Sequence, residues 1–220
     1  MKFFLDSAKI DQIEYALDMW DIDGITTNPH HIQVAGQPFM KAIHDIAKLF
    51  EGTKKTVSVE INPNYTSFDD MVTDAEKLAD ISPNFVIKLP CIEPTFKAIR
   101  VLSEKGIRVN TTLIFSPSQA IQAMRVGSYY VSPFVGWKEA NGEDVSKLIQ
   151  EIVTIRNNYG FKTEVLCAAM RNGRQIVDAA LAGADIVTAY LDIYQAAFDH
   201  PYTHKGMGIF QEYWDKTPFE

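Results

Sequence analysis

The chain has 220 residues, of which 46% are hydrophobic and 22% charged, the make-up of a globular protein long enough to bury a sizeable core. A net charge of −7 argues against a broad nucleic-acid footprint, and no apolar run reaches membrane-spanning length or forms a signal region at the N-terminus. The only cysteines, Cys91 and Cys167, fall in apolar stretches and are expected to be small core residues in a reducing, cytoplasmic setting.

In chain order, apolar strand-like runs fall at Phe3–Leu5, Gly24–Thr26, Thr56–Glu60, Phe85–Leu89, Arg108–Thr112, Tyr129–Ser132, Thr163–Cys167 and Ile186–Thr188. Helical patterns such as Met71–Ala79, Pro94–Glu104, Pro117–Ala123, Val145–Asn157 and Gly173–Ala182 lie between them. Gly106, Gly127, Gly160 and Gly183 each precede a strand and are expected as helix C-caps. A βα unit repeated about eight times predicts an α/β fold, a closed (β/α)8 barrel with a C-terminal helical extension, spanning residues 1–220 as one domain. A doubly wound open sheet is the alternative, though no strand is followed by a full G-x-G-x-x-G turn. Residues 193–220 form the helical tail, with Tyr194, Phe198, Tyr202, Phe210, Tyr213 and Trp214. They are more aromatic surface than one small domain needs, so part of the tail is expected at a subunit contact.

The run Phe85-Val86-Ile87-Lys88-Leu89-Pro90 places one lysine inside an apolar strand. Burial disfavours the charged amine, and a neutral amine attacks carbonyls to form a Schiff base. The alternative is a strand-end lysine whose amine reaches solvent. Active sites of such barrels lie at the C-terminal strand ends. The polar residues there are Asp6, Thr26, Thr27, Asn28, Glu60, Asn62, Lys88, Asn110, Thr112, Ser132 and Arg171. Singly, they have structural explanations: Asp6-Ser7 and Asn28 as helix N-caps, Thr112 as a β-branched strand residue, Glu60 as an exposed strand end. Together they supply an amine, carboxylates and small hydrogen-bonding groups, the parts of Schiff-base aldol chemistry on a polyol. His30-His31 is expected to be solvated surface. His200 and His204 are interrupted by Pro201, so no metal site is expected, and Gly206-Met207-Gly208 does not make a nucleotide loop.

Five motifs, each at a strand end, carry a family resemblance. They are Ile25-Thr26-Thr27-Asn28-Pro29, Val57-Ser58-Val59-Glu60, Val86-Ile87-Lys88-Leu89-Pro90, Asn110-Thr111-Thr112-Leu113-Ile114-Phe115-Ser116 and Ser132-Pro133-Phe134-Val135-Gly136. The chain from Lys2 to about Tyr213 resembles the transaldolase family, especially the short group that includes the fructose-6-phosphate aldolases. The resemblance implies a barrel working without metal or organic cofactor, with Lys88 as the Schiff-base lysine and Asp6 as the acid/base at the C4 hydroxyl. Glu60 would act through a water also held by Thr112. Thr26, Asn28, Asn110 and Ser132 would hold the dihydroxyacetone unit. It also implies small-molecule ketose and aldose substrates and a homo-oligomer, a pentamer or decamer.

Glu60 and Phe134 match the transferase branch; the branch that releases free dihydroxyacetone carries Gln and Tyr there. The aldolase remains the alternative, and a catalytically silent sugar-binding barrel is the alternative of another class. At the far end of the substrate the chain departs from its family. Trp137 stands where the resemblance leads one to expect a phosphate-binding arginine, Ala169 replaces a serine, and Arg171 is retained. Lys138, Asn172 and Arg174 are the neighbouring candidates to replace what is lost. The expected donor is therefore a ketose with a C6 anion, fructose 6-phosphate or 6-deoxy-6-sulfofructose, and the acceptor an aldehyde such as glyceraldehyde 3-phosphate.

Overall fold

The computed structural model describes residues 1–220. Eight parallel strands close into a barrel in sequence order, β1 beside β8. They are β1 (Lys2–Asp6), β2 (Gly24–Thr26), β3 (Thr56–Glu60), β4 (Phe85–Pro90), β5 (Val109–Ile114), β6 (Tyr130–Pro133), β7 (Glu164–Cys167) and β8 (Ile186–Ala189). The helices are α1 (Ile10–Trp20), α2 (Pro29–Ala35), α3 (Phe39–Phe50), α4 (Phe68–Ala79), α5 (Glu93–Glu104), α6 (Pro117–Arg125), α7 (Val135–Ala140), α8 (Val145–Tyr159), α9 (Gly173–Ala182), α10 (Leu191–Phe198) and α11 (Pro201–Trp214). The open-sheet alternative is thereby excluded. None of the helices is long and apolar enough to cross a membrane.

Two apolar layers follow from the strand period of two. Leu5, Ile25, Val57, Ile87, Val109, Val131, Val165 and Val187 turn outward into the main core beneath the helices. Phe4, Val86, Tyr130, Leu166 and Ile186 turn inward and fill the barrel floor. Lys88 is two residues beyond Val86, so the same alternation points it inward, above that floor. Register pairs Glu60 with Lys88 and Lys88 with Asn110, which sets the three polar side chains side by side on adjacent strands.

Helix starts match their sequence signals. Asn28, Ser67, Ser116 and Asn172 cap α2, α4, α6 and α9 with side-chain oxygens, and Ser116 with Gln119 forms a capping box. Gly160 and Gly183 are the left-handed C-caps of α8 and α9; Gly106 and Gly127 have positive φ one residue past the cap position. The tail is two helices broken at Pro201, and Tyr194 belongs to the barrel itself. Its hydroxyl donates to the carbonyls of Phe4 (2.9 Å) and Val187 (3.1 Å), across the β1–β8 seam.

Two non-glycine residues with positive φ flank the site. Leu113 (φ 58°) lies in the register shift between β5 and β6, and Ala169 (φ 58°) follows the bridge between Phe134 and Ala168. A bulge of this kind re-aims the residues beside it. Thr112 stands next to the shift at Leu113, and Arg171 lies two residues past Ala169.

Candidate active site

A cavity of about 350 Å³ opens at the C-terminal ends of the strands. Lys88, 3% exposed, lies in its wall with Asp6, Thr26, Asn28, Ser132 and Phe134. Trp137 and Arg171 border it on the β6–β7 side. Lys88 Nζ donates to the Thr27 carbonyl (3.2 Å) and lies 3.5 Å from Glu60 Oε2. Burial raises the Glu60 pKa above the ordinary carboxylate range; the Lys88 ammonium opposes that shift and Asp6 adds to it. A carboxyl so placed can carry a proton nearer neutrality than a free glutamate.

Asp6 is buried at the end of β1 and accepts from Thr26 Oγ1 at 2.6 Å. Thr26 has a single hydroxyl hydrogen, so Thr188 Oγ1, 2.6 Å away, must donate to Thr26. Asp6 is not a helix N-cap: α1 starts at Ile10, and the residue at its N-cap position, Lys9, makes no side-chain cap. Asn110 is locked on both sides, its Nδ2 donating to Ser58 Oγ (3.0 Å) and its Oδ1 accepting from Ser132 Oγ (2.7 Å). Thr112 Oγ1 is buried without a partner. Glu60 lines a separate cavity with Asn62 and Tyr65, while Asn110 and Thr112 lie within the strands and line neither.

Three expected residues are turned elsewhere. Lys138 pairs with Glu143, and Arg174 with Asp178 at 2.6 Å. Asn172 caps α9, accepting from Gln175 N–H at 3.0 Å. None of the three lines the cavity. Arg171 does face it, its guanidinium carbon 5.7 Å from the centre of the Tyr190 ring. Trp137 packs on Phe115 and edge-on against Phe134, with half its surface open.

The surface assignment of the His30-His31 pair holds for His30 and is corrected for His31, which is buried with Nδ1 3.4 Å from Asp6 Oδ1. Its pKa is lowered, first by burial and then by Lys88 and His30, against the pull of Asp6 and the Thr26 carbonyl. Tyr190 and Thr188 also line the cavity. A second cavity of about 450 Å³ adjoins it and shares Asp6, His30 and Tyr190. Thr188 had a sequence signal as the polar end of the eighth strand; Tyr190 and His31 had none beyond their proximity to strand ends. No three His, Cys, Asp or Glu side chains gather into a metal-ligand set. Burial raises the Cys91 thiol to about 11, and Cys167 is pushed further in the same direction.

A lysine, two carboxylates and a hydroxyl network at one barrel mouth are accompanied by a family match over residues 3–217, to the model described as Transaldolase/Fructose-6-phosphate aldolase. The chain belongs to this family. It is an enzyme of the transaldolase type, a transferase. Proteins named 6-deoxy-6-sulfo-D-fructose transaldolase from Priestia aryabhattai and Priestia megaterium are each 50% identical to it, over 100% of this chain and 98% of theirs. A probable transaldolase from Dictyoglomus turgidum is 43% identical over 99% of this chain and 100% of its own length. Among solved structures, 3-hexulose-6-phosphate synthase from Salmonella typhimurium superposes with a TM-score of 0.62 at 19% identity, covering 90% of this chain and 92% of that one. That likeness concerns the barrel alone.

Proposed function

We propose that this transaldolase is a Schiff-base enzyme that moves a dihydroxyacetone unit from 6-deoxy-6-sulfofructose to an aldehyde such as glyceraldehyde 3-phosphate. The observation that carries the proposal is the pairing of Trp137 with Arg171 at the cavity rim, with Lys138 and Arg174 both held in ion pairs away from it. The names of the Priestia relatives support the same donor.

Lys88 Nζ attacks the ketose C2 carbonyl to give a carbinolamine. Loss of water from it gives the imine. Glu60, 3.5 Å from that nitrogen, serves these proton transfers, with the unpartnered Thr112 hydroxyl able to hold the intervening water. Asp6 then accepts the C4 hydroxyl proton. As C3–C4 breaks, its electron pair flows into the imine and leaves an enamine on Lys88. The departing three-carbon aldehyde takes the sulfonate with it. The enamine adds to the acceptor, and hydrolysis of the new imine frees Lys88. Ser132, oriented by its bond to Asn110, and Thr26 offer fixed partners for the dihydroxyacetone hydroxyls, with Asn110 acting through Ser132. We further propose a cytoplasmic homo-oligomer, on the exposed aromatics of the tail.

A phosphate ester carries about −1.5 to −2 charge near neutral pH, which favours two cations in bidentate geometry. A sulfonate carries a single charge. One guanidinium and one neutral indole N–H suit the monoanion better. The test is kcat/KM for 6-deoxy-6-sulfofructose against fructose 6-phosphate, with one acceptor, in wild type and in Trp137→Arg. Wild type is expected to prefer the sulfonate. Trp137→Arg is expected to move the ratio toward the phosphate by roughly tenfold or more, the value of a hydrogen bond to a charged group. A wild type that strongly prefers fructose 6-phosphate, with a ratio unmoved by the substitution, would sink the sulfonate assignment.

A further inference from the structure

His31 is a buried titratable group beside the reacting atoms that the steps above leave unused. Its backbone N–H donates to Asn28 Oδ1 at 3.0 Å, and that bond fixes the orientation of the amide. Asn28 Nδ2 is then the atom 3.4 Å from His31 Nε2. An amide nitrogen only donates, so Nε2 accepts. A neutral imidazole has one N–H, which must therefore be on Nδ1. Nδ1 lies 3.4 Å from Asp6 Oδ1, poorly aligned in the free protein. Catalytic hydrogen bonds are often long before substrate binds and tighten in the complex. Tyr190 packs edge-on against the ring, centroids 5.5 Å apart at 80°, with its hydroxyl 3.4 Å from Nε2. The ring is thus held from both sides. Lys88 on β4 and His30 on α2 face it as well, and their charges oppose its protonation.

We propose that neutral His31 is a positioning residue for Asp6, donating from Nδ1 to Oδ1 so that Oδ2 is the oxygen left to take the C4 hydroxyl proton. Thr26 Oγ1 already donates to the same Oδ1, so the two donors engage one carboxylate oxygen and leave the other free. In the cleavage step the C4 hydroxyl proton passes to Oδ2, the C4 carbonyl forms, and the C3–C4 electron pair enters the imine on Lys88. This proposal rests on the Schiff-base reaction proposed above.

The test uses two amide variants that differ in where they place the donor. His31→Asn puts its N–H near the Nδ1 position; His31→Gln puts its amide near Nε2 and leaves Asp6 without the donor. Each is incubated with 6-deoxy-6-sulfofructose and, in parallel, fructose 6-phosphate. Two quantities are measured: the borohydride-trapped adduct on Lys88, and the single-turnover rate of aldehyde release. His31→Gln is expected to trap adduct at the wild-type level but release aldehyde roughly 10- to 100-fold more slowly, the loss of one charge-assisted hydrogen bond. His31→Asn is expected to stay within about fivefold of wild type. Equal rates of release in the two variants, or trapping and release falling together in His31→Gln, would overturn the proposal. If wild type itself traps no adduct while Lys88→Arg still turns over, the Schiff-base reaction fails and the role of His31 fails with it. That fault is recognised by its presence in the unsubstituted protein.

Discussion

Glu60 is held between desolvation, which favours its neutral form, and the Lys88 ammonium, which favours the carboxylate; desolvation prevails and its pKa rises in the fold. The linkage sign follows. Between the ordinary value of 4.5 and the raised one, the folded chain binds more protons than the unfolded chain, so the Glu60 contribution to stability falls as pH rises through that window. Glu60→Gln lacks this component. The difference in melting temperature, wild type minus Glu60→Gln, is therefore expected to decrease as pH rises from about 4.5. A difference independent of pH would contradict the burial assigned to this carboxyl. Phe134 gives a second prediction at this scale. It lines the Lys88 cavity and packs against Phe115 and Trp137, and it has no hydroxyl to orient a water. Phe134→Tyr is expected to raise the release of free dihydroxyacetone relative to transfer, measured as the ratio of the two products at fixed acceptor concentration. An unchanged ratio in a folded variant would count against the transferase assignment. Lys88 was legible in the sequence because a charge inside an apolar run has few explanations. His31 was not, because its burial depends on Tyr190 arriving from the far end of the chain. Lys138 and Arg174 looked available because their carboxylate partners are set by the fold: Glu143 lies in the connection after α7, and Asp178 lies one turn further along α9.

The strands and most helices could be read from period and capping, and their ends differ where the backbone does something local. β5 runs to Ile114 rather than Thr112 because Leu113 turns left-handed within the register shift. The six-residue α7 gave no periodic signal, since its Val-Gly-Trp-Lys-Glu-Ala is too short to show a face. Yet this element builds the site. A Cβ on Gly136 would lie 2.2 Å from the Ala169 carbonyl oxygen and 2.7 Å from Arg171 Cγ. The first contact is backbone, so it cannot be relieved by a rotamer change. Gly136→Ala must push α7 away from the β7–α9 loop, separating Trp137 from Arg171. Overpacking of this kind costs about 1–3 kcal/mol. A lowered urea midpoint is expected, with KM for the ketose raised more than kcat is lowered, because the displaced group is the one proposed above to bind the C6 anion and Lys88 is on another element. A variant with wild-type midpoint and KM would show that α7 and the loop are not in this close approach.

At the scale of the molecule, the barrel has two ends with different work. The Lys88 cavity opens at the C-terminal end of the strands, and no residue beyond Tyr190 lines it. At the opposite end, Phe3, Trp20, Ile22, Tyr194 and Phe198 border an apolar hollow of about 330 Å³. Phe198 packs edge-on against Phe3 and Trp20, so α10 delivers the chain to this end and α11 departs from it. α11 buries no residue, and Tyr202, Phe210, Tyr213 and Trp214 are each more than 60% exposed. Isolated helices of this length are marginal in water, and their stability comes from packing an apolar face. A second copy of the chain offers both the apolar surface such a face needs and a hollow able to take an aromatic side chain. The full chain is therefore expected to sediment as a multiple of its 24.8 kDa subunit. The double variant Phe210→Glu with Trp214→Glu is expected to sediment as a monomer that still traps a ketose on Lys88 under borohydride, because no residue of α11 lines the Lys88 cavity. A wild-type chain that sediments as a monomer at micromolar concentration would remove the assigned role of the tail. A double variant that keeps the wild-type assembly would move the contact to another face.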